Sequence, residues 1–292
     1  MKILIIGKTG QLGSVLIKDA IASGHDVYAP TKHELDITNK QSFLTVMKLF
    51  SPDVVINTAA YHNVLLCEEN PMMAFQINCI AVNEMAEIST DFNAWFVSFS
   101  TDYVFDGMKR EPYIESDTPF PLQKYGFSKL AGEYAALTYP KSIIIRTCGL
   151  YGVEGATSKG GNFVDNRIKD SEKNTLLEVS NDQTVSPTYT GDLSNAVLHL
   201  ISHPQKESGI YHLVNQGSCT WYEFTKEIYE LMNINIKLIP VNRNGLTNNM
   251  RRPLFSALKN EKAAKLGIVL PGWKNGLIAY LNIKYLHNVK EK

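Results

Sequence analysis

Tyr125 and Lys129 stand four residues apart in Tyr125-Gly126-Phe127-Ser128-Lys129, within a stretch that reads as helix. On a helix, residues at that spacing share a face, so the phenol and the ammonium reach one pocket. A phenol with an ordinary pKa of ~10 gives up its proton poorly at neutral pH. A neighbouring Lys⁺ favours the phenolate and lowers that value. The pair therefore makes a general acid able to protonate a carbonyl oxygen as hydride reaches the carbon. Upstream lies Ser100-Thr101-Asp102-Tyr103-Val104-Phe105. There the Thr101 hydroxyl suits a hydrogen bond to the substrate oxygen, and Asp102 suits a sugar hydroxyl or the capping of a turn.

Hydride chemistry needs a dinucleotide, and the N-terminus has a place for one. Gly7-Lys8-Thr9-Gly10-Gln11-Leu12-Gly13 falls between a predicted strand and a predicted helix. The first glycine allows the tight turn, the second lets backbone approach a pyrophosphate, and the third lets helix pack on strand. Gly7, Thr9, Gly10, Gln11, Leu12 and Gly13 are thus candidate cofactor contacts, facing the anion with free N–H groups and a helix dipole. An NAD site usually carries Asp or Glu about 20 residues past the glycines. Here Pro30, Thr31, Lys32 and His33 follow Ala29. Thr31 and Lys32 suit a ribose 2′-phosphate, which favours NADPH, with NADH left open as a second cofactor. Asp36, Ile37 and Thr38 are expected under the adenine. Ala59, Ala60, Tyr61 and Asn78, with Tyr125 and Lys129, complete the expected cofactor set.

The elements that must hold these residues alternate strand and helix. Strands are expected at Ile3–Ile6, Asp26–Ala29, Asp53–Asn57, Trp95–Ser98 and Ser142–Arg146. Helices are expected at Gln11–Ser23, Asn39–Phe50, Ala74–Thr90 and Tyr125–Leu137. This is the pattern of an α/β fold, a Rossmann-type doubly wound parallel sheet. Gly152–Asn162, rich in Gly, Ser and Thr, reads as a mobile loop near a ligand. Beyond it, Asp192–Ser202 and Trp221–Met232 read as helices, Gly209–Val214 as a strand returning to the main sheet, and Ile236–Pro240 as a further strand. The expected division is a dinucleotide-binding domain over 1–150 and about 188–216. A small C-terminal α/β substrate-binding domain is expected over 151–187 and 217–292.

Composition excludes other classes. Lys plus Arg and Asp plus Glu each total 29 in 292 residues, without the positive excess expected of a nucleic-acid or membrane-surface protein. Cys67, Cys79, Cys148 and Cys219 lack a zinc-like spacing, and the dispersed histidines offer no metal site. The first apolar run is too short for a signal core or a span, so a cytoplasmic protein is expected.

Taken together, these motifs resemble the extended short-chain dehydrogenase/reductases and, more narrowly, the dTDP-4-dehydrorhamnose reductase family. The likeness runs over nearly the whole chain. It rests on the glycine turn, Leu35-Asp36-Ile37-Thr38, Ser100-Thr101-Asp102-Tyr103-Val104-Phe105, and Tyr125 with Lys129. Gly161-Asn162-Phe163, Asn181-Asp182-Gln183, Thr220-Trp221-Tyr222 and Arg251-Arg252-Pro253 extend it. The resemblance implies Thr101, Tyr125 and Lys129 as the catalytic triad and a nucleotide-linked 4-keto-6-deoxy sugar as substrate. It implies Asp102, Tyr103, Asn162, Phe163, Gln183 and Arg252 near that substrate, alongside Thr101 and Tyr125. Two departures stand out. Arg146-Thr147-Cys148-Gly149 replaces the family's Arg-Thr-Ser-Trp, whose Trp packs on the sugar, and Val64-Leu65 replaces its Val-Asp. Another nucleotide-sugar reductase or an epimerase shares the pattern. So does a non-catalytic partner like the regulatory subunit of methionine adenosyltransferase. A homodimer is left open.

Overall fold

A computed structural model describes residues 1–154, 161–247 and 250–286. The first half runs β1 (Lys2–Ile6), α1 (Gln11–Ala22), β2 (Asp26–Tyr28), α2 (Lys40–Phe50) and β3 (Val54–Asn57). It continues with α3 (Val64–Glu69), α4 (Pro71–Phe75), a π turn (Gln76–Ile80), α5 (Ala81–Asp91) and β4 (Trp95–Thr101). A 3₁₀ turn (Asp102–Val104), α6 (Lys124–Leu137) and β5 (Ser142–Thr147) follow. Next come β6 (Leu150–Tyr151), α7 (Phe163–Lys173), β7 (Leu176–Ser180), β8 (Thr184–Val185), β9 (Thr188–Tyr189) and α8 (Thr190–Ser202). The rest is β10 (Gly209–His212), β11 (Cys219–Thr220), α9 (Trp221–Leu231), β12 (Lys237–Val241), β13 (Leu246–Thr247) and β14 (Met250–Arg251), then α10 (Glu261–Lys265), α11 (Trp273–Leu281) and a π turn (Asn282–Leu286).

Six strands pair in the order β10-β5-β4-β3-β1-β2, every pair parallel. Side chains alternate across a strand, so β1 serves two cores. Ile3 and Ile5 pack under α1 and α8, and Leu4 and Ile6 pack under α2 and α5. Covering both faces is what lets parallel strands be apolar throughout. The chain reverses its direction of travel between β1 and β3, and at such a switch point the strand ends leave a crevice for ligands.

A third core gathers aromatic residues of the later elements, among them Tyr151, Tyr189, Phe224, Trp273 and Tyr280. Among the described residues, the strands beyond the main sheet form two-stranded pairs, β12 lying parallel to β7. A fourth cluster, including Phe105, Tyr113, Cys148, Val185 and Leu258, fills the seam between the main sheet and these pieces.

The doubly wound sheet agrees with the sequence reading, and the returning strand at Gly209 is β10. The expected helix over Ala74–Thr90 differs. It begins at Pro71, which presets the first helical turn, and it widens into the π turn at Gln76–Ile80. Helix α7 and strand β7 lay outside the expectations. Part of the expected loop, residues 155–160, lies outside the described residues. Among the described residues, no helix is long and apolar enough to cross a membrane.

Candidate active site

The glycine turn sits at the switch point. Gly7 adopts φ +93, and a Cβ there would lie 2.4 Å from the Thr58 hydroxyl oxygen at the end of β3. A Cβ on Gly13 would lie 2.2 Å from the Gly7 carbonyl oxygen, so α1 packs directly on the turn. Gly10 caps α1 without a side-chain hydrogen bond, and no acidic residue occupies the first turn. The turn therefore keeps free N–H groups and a positive dipole end available to an anion. Gln11 Oε1 is buried without a partner. Thr9 and Gly10 are exposed on the crest, whereas the Leu12 side chain belongs to the core, leaving only its backbone to face a ligand. These features fit a dinucleotide diphosphate.

The tip of β2 corrects one expectation. A carboxylate does reach this point, from Glu34, which accepts from the Thr31 N–H at 2.6 Å and the Thr31 hydroxyl at 2.8 Å. Those bonds hold its carboxyl below the usual range, with a smaller contribution from Lys8 of the glycine turn. The Thr31 hydroxyl is thus engaged in a turn, while Lys32 is exposed. Asp36 likewise accepts from the N–H and hydroxyl of Thr38, and Ile37 packs against the core beneath them.

Across the switch point, Ala59, Ala60 and Tyr61 are half-buried in the segment after β3. Asn78 fixes that segment. Its Oδ1 accepts from the Tyr61 N–H at 2.8 Å, and its Nδ2 donates to the Tyr61 carbonyl at 2.9 Å and to the Ser128 hydroxyl oxygen at 3.0 Å. Ser128 lies between Tyr125 and Lys129 on α6, so one amide ties the cofactor side of the crevice to the helix that carries the phenol and the amine.

Thr101, at the end of β4, stands close enough to Tyr125 to oppose the rise that burial gives its phenol. The Thr101 hydroxyl donates to Asp102 Oδ1 at 3.0 Å and accepts from the Tyr103 N–H at 3.2 Å. Lys129 is buried one turn along α6. Burial brings its ammonium down to about 8, opposed by the Glu133 carboxylate and Cys67. The expected effect of Lys129 on Tyr125 is corrected: the phenol is raised, first by burial and then by the like charge of Asp102. Desolvation outweighs the amine here.

The residues expected near the substrate divide into two groups. The Tyr103 ring meets Tyr125 edge-on at 6.2 Å, and the charge of nearby Arg252 opposes the rise that burial gives the Tyr103 phenol. Phe163 stacks on Trp221 with ring centroids 4.4 Å apart. Gln183 is buried between β7 and β8. Two others already have full partnerships. Asn162 is the N-cap of α7; its Oδ1 accepts from the Asp165 N–H, and its Nδ2 donates to the Gly152 carbonyl and the Tyr280 hydroxyl. Asp102 is 4% exposed and holds Ser256 and Cys148 on its second oxygen, at 2.5 and 3.0 Å. Gly149, where the family's Trp was expected, adopts φ +55, and a Cβ on it would lie 3.3 Å from Trp221 Cη2.

Sequence reasoning missed a buried network beneath the site. Arg146 donates through Nε and Nη2 to Glu133, with Nη2 to Oε2 at 2.6 Å, and both side chains are 1% exposed. The Ser100 hydroxyl also donates to Glu133. A small cavity beside this network is lined by Asn78, Ser98, Ser100, Lys129 and Glu133 among others. Glu133 lies four residues beyond Lys129, the spacing that linked Tyr125 to Lys129, and that signal was available in the sequence.

The chain matches the model of the RmlD substrate binding domain over residues 1–285. It is 38% identical to the spore coat polysaccharide biosynthesis protein SpsK of Bacillus subtilis strain 168, covering 96% of each chain. It is 33% identical to dTDP-4-dehydrorhamnose reductase of Escherichia coli K12, covering 97% of each. Among solved structures, dTDP-4-dehydrorhamnose reductase of Bacillus anthracis in complex with NADP superposes with a TM-score of 0.90 at 34% identity, over 96% of this chain and 98% of that one. With the glycine turn, the Tyr125–Lys129 helix and these whole-length likenesses in one molecule, the chain belongs to the dTDP-4-dehydrorhamnose reductase family of NAD(P)-dependent oxidoreductases.

Proposed function

We propose that the chain reduces the 4-keto group of a nucleotide-linked 4-keto-6-deoxy sugar with NADPH, dTDP-4-dehydrorhamnose to dTDP-L-rhamnose being the leading assignment. The observation that carries this reading is Tyr125 beside Thr101, with Lys129 buried one turn along α6, at the carboxyl edge of the sheet that bears the glycine turn. The relatives named for that reaction support the sugar.

NADPH, when bound, supplies the hydride for the ketone carbon. The N–H groups of Gln11–Gly13 at the start of α1 would hold its diphosphate, and exposed Lys32 lies within the segment that would meet a 2′-phosphate. Lys129 holds ribose hydroxyls and keeps a positive charge below the phenol. Tyr125, kept protonated by burial and by Asp102, is poised to give its proton to the carbonyl oxygen, so that ketone, hydride and proton become an alcohol. Thr101 positions that oxygen, and Arg252 with Tyr103 faces the nucleotide diphosphate. The Glu34 carboxylate at the tip of β2 favours a cofactor range that also includes NADH, because it can accept a ribose 2′-OH.

The test is NADPH oxidation with dTDP-, UDP- and GDP-linked 4-keto-6-deoxy sugars, with product identified by chromatography against dTDP-L-rhamnose. Turnover of the dTDP sugar at a kcat/KM at least ~10-fold above the others is expected, a difference of about 1.4 kcal/mol. Turnover confined to another nucleotide, or absent with all three, overturns the assignment.

A further inference from the structure

Ser100 of β4 and Arg146 of β5 are register partners in the sheet, so their side chains leave the same face. Helix α6 lays Glu133 on that face, and both reach it. Arg146 donates to its carboxylate, Nε to Oε1 at 3.0 Å and Nη2 to Oε2 at 2.6 Å, and the Ser100 hydroxyl donates to Oε1 as well. Glu133 also follows Lys129 by four positions, which puts those two side chains on one side of the helix. Both residues line the small cavity shared with Asn78, Ser98 and Ser100, and Arg146 is not part of that lining. One carboxylate thus meets a guanidinium through direct bonds and shares a cavity with an amine, and all three groups are buried. Buried charges persist only where opposite charge and hydrogen bonds replace water.

Two buried cations disfavour each other's charged form, and a carboxylate shared by both reverses that sign. We propose that Glu133 is a positioning residue of the reduction: locked to β4 and β5 by Ser100 and Arg146, its carboxylate keeps the amine of Lys129 charged and screens it from the guanidinium. Glu133 acts through Lys129. The direction agrees with the balance at that amine, which burial lowers and Glu133 opposes. Of the other ionisable groups on elements packed against α6, Cys67 of α3 works in the same direction as Glu133, with its thiol donated to the Tyr61 carbonyl at 3.3 Å. Burial raises the Cys79 thiol of the π turn, so it stays neutral. Asp102 and Tyr103 follow β4, and both act on Tyr125. Glu68 of α3 accepts from the Lys124 N–H at the start of α6, and Glu84 and Glu87 of α5 act on Lys40. His212, the register partner of Arg146 on β10, is held neutral by burial. The inference rests on the reading of Lys129 given above.

The experiment is the kcat–pH profile of the parent, Glu133→Gln, Arg146→Met and the double variant, with the nucleotide sugar and NADPH saturating. A charge role moves the alkaline limb in opposite directions in the two single variants. Glu133→Gln leaves the amine with the guanidinium alone, so its limb is expected below ~7, with kcat about 5-fold under the parent at pH ~8 and within ~2-fold of it at pH ~6. Arg146→Met leaves the carboxylate to Lys129, so its limb is expected above ~9. The double variant, in which a neutral pair replaces the buried ion pair, is expected to fold and to fall between the two. Limbs that stand still, or that move the same way in both single variants, overturn the proposal. Should Glu133→Gln not fold, a limb in Arg146→Met at or below the parental one overturns it equally. A limb that persists in Lys129→Arg refutes the reading of Lys129 itself. A limb lost there but unmoved in the Glu133 and Arg146 variants refutes this inference alone.

Discussion

Gly132 of α6 lies against the carbonyl of Asn78 in the π turn, and a Cβ on Gly132 would stand 2.0 Å from that oxygen. Asn78 in turn clamps Tyr61 and Ser128. One missing methyl group thus sets how closely the helix of Tyr125 and Lys129 approaches the cofactor side of the crevice. π turns recur at functional sites because their extra residue redirects a side chain, and this one aims Asn78 at both walls.

Gly132→Ala is expected to destabilise the fold by about 3 kcal/mol, because backbone must move to admit the methyl group. It should also lower kcat, since Tyr125 and Lys129 ride on the displaced helix. Urea unfolding and steady-state kinetics check both; a variant as stable and as active as the parent contradicts the close approach.

Lys129 sets the alkaline limit of the reaction. Its folded pKa of about 8 lies below the ordinary lysine value, so the ammonium is present below that pH and lost as pH rises through it. Activity should fall along the same limb. Lys129→Arg keeps its charge throughout this range, so its weaker activity should show no limb near ~8. A kcat–pH profile for both proteins decides, and an unchanged limb in the arginine variant assigns it to another group.

His212 links stability to acid. The buried ring is held to about 3, first by desolvation and then by the charge of Arg146, and its Nδ1 lies 3.1 Å from the Tyr113 carbonyl oxygen. The unfolded chain takes up this proton near ~6.5 and the folded chain does not, so stability falls as pH drops below that value. The contribution lost by about pH 5 is about 2 kcal/mol. The stability advantage of the parent over His212→Gln should shrink by that amount between pH ~7 and ~5, as measured by urea unfolding at each pH.

Glu34 is expected to restrain the preference for NADPH. It holds Thr31 and senses Lys8 of the glycine turn, which places a carboxylate in the neighbourhood of any 2′-phosphate. Glu34→Gln should raise the ratio of kcat/KM for NADPH over NADH by ~5-fold, and Lys32→Ala should lower it by ~10-fold. Equal ratios in all three proteins would remove this segment from cofactor choice.

What the sequence made legible was local. The glycine turn, the Tyr125–Lys129 pair and the alternation of β1 through β5 all rest on spacings within one or two elements, and each appears in the structure. The less legible features join distant segments. Glu34 turns back on Thr31 within a loop that had been read by its cations. Ser256 reaches Asp102 across 154 positions, and β7 finds its parallel partner β12 only some 60 residues later. Asn162 shows the remaining difficulty: its type suits a sugar hydroxyl and a helix N-cap equally, and its place as the N-cap of α7 was not legible because that helix was not expected. The phenol of Tyr125 was expected to be lowered by the amine one turn away, but burial, which no spacing reveals, governs it.

The central claim is that the phenol of Tyr125 protonates the ketone oxygen as hydride arrives. Single-turnover oxidation of bound NADPH by dTDP-4-dehydrorhamnose, compared between the parent and Tyr125→Phe, tests it most directly. The account predicts a rate loss of at least ~100-fold in the phenylalanine variant, with NADPH affinity unchanged. Hydride transfer at the parental rate in Tyr125→Phe would contradict it.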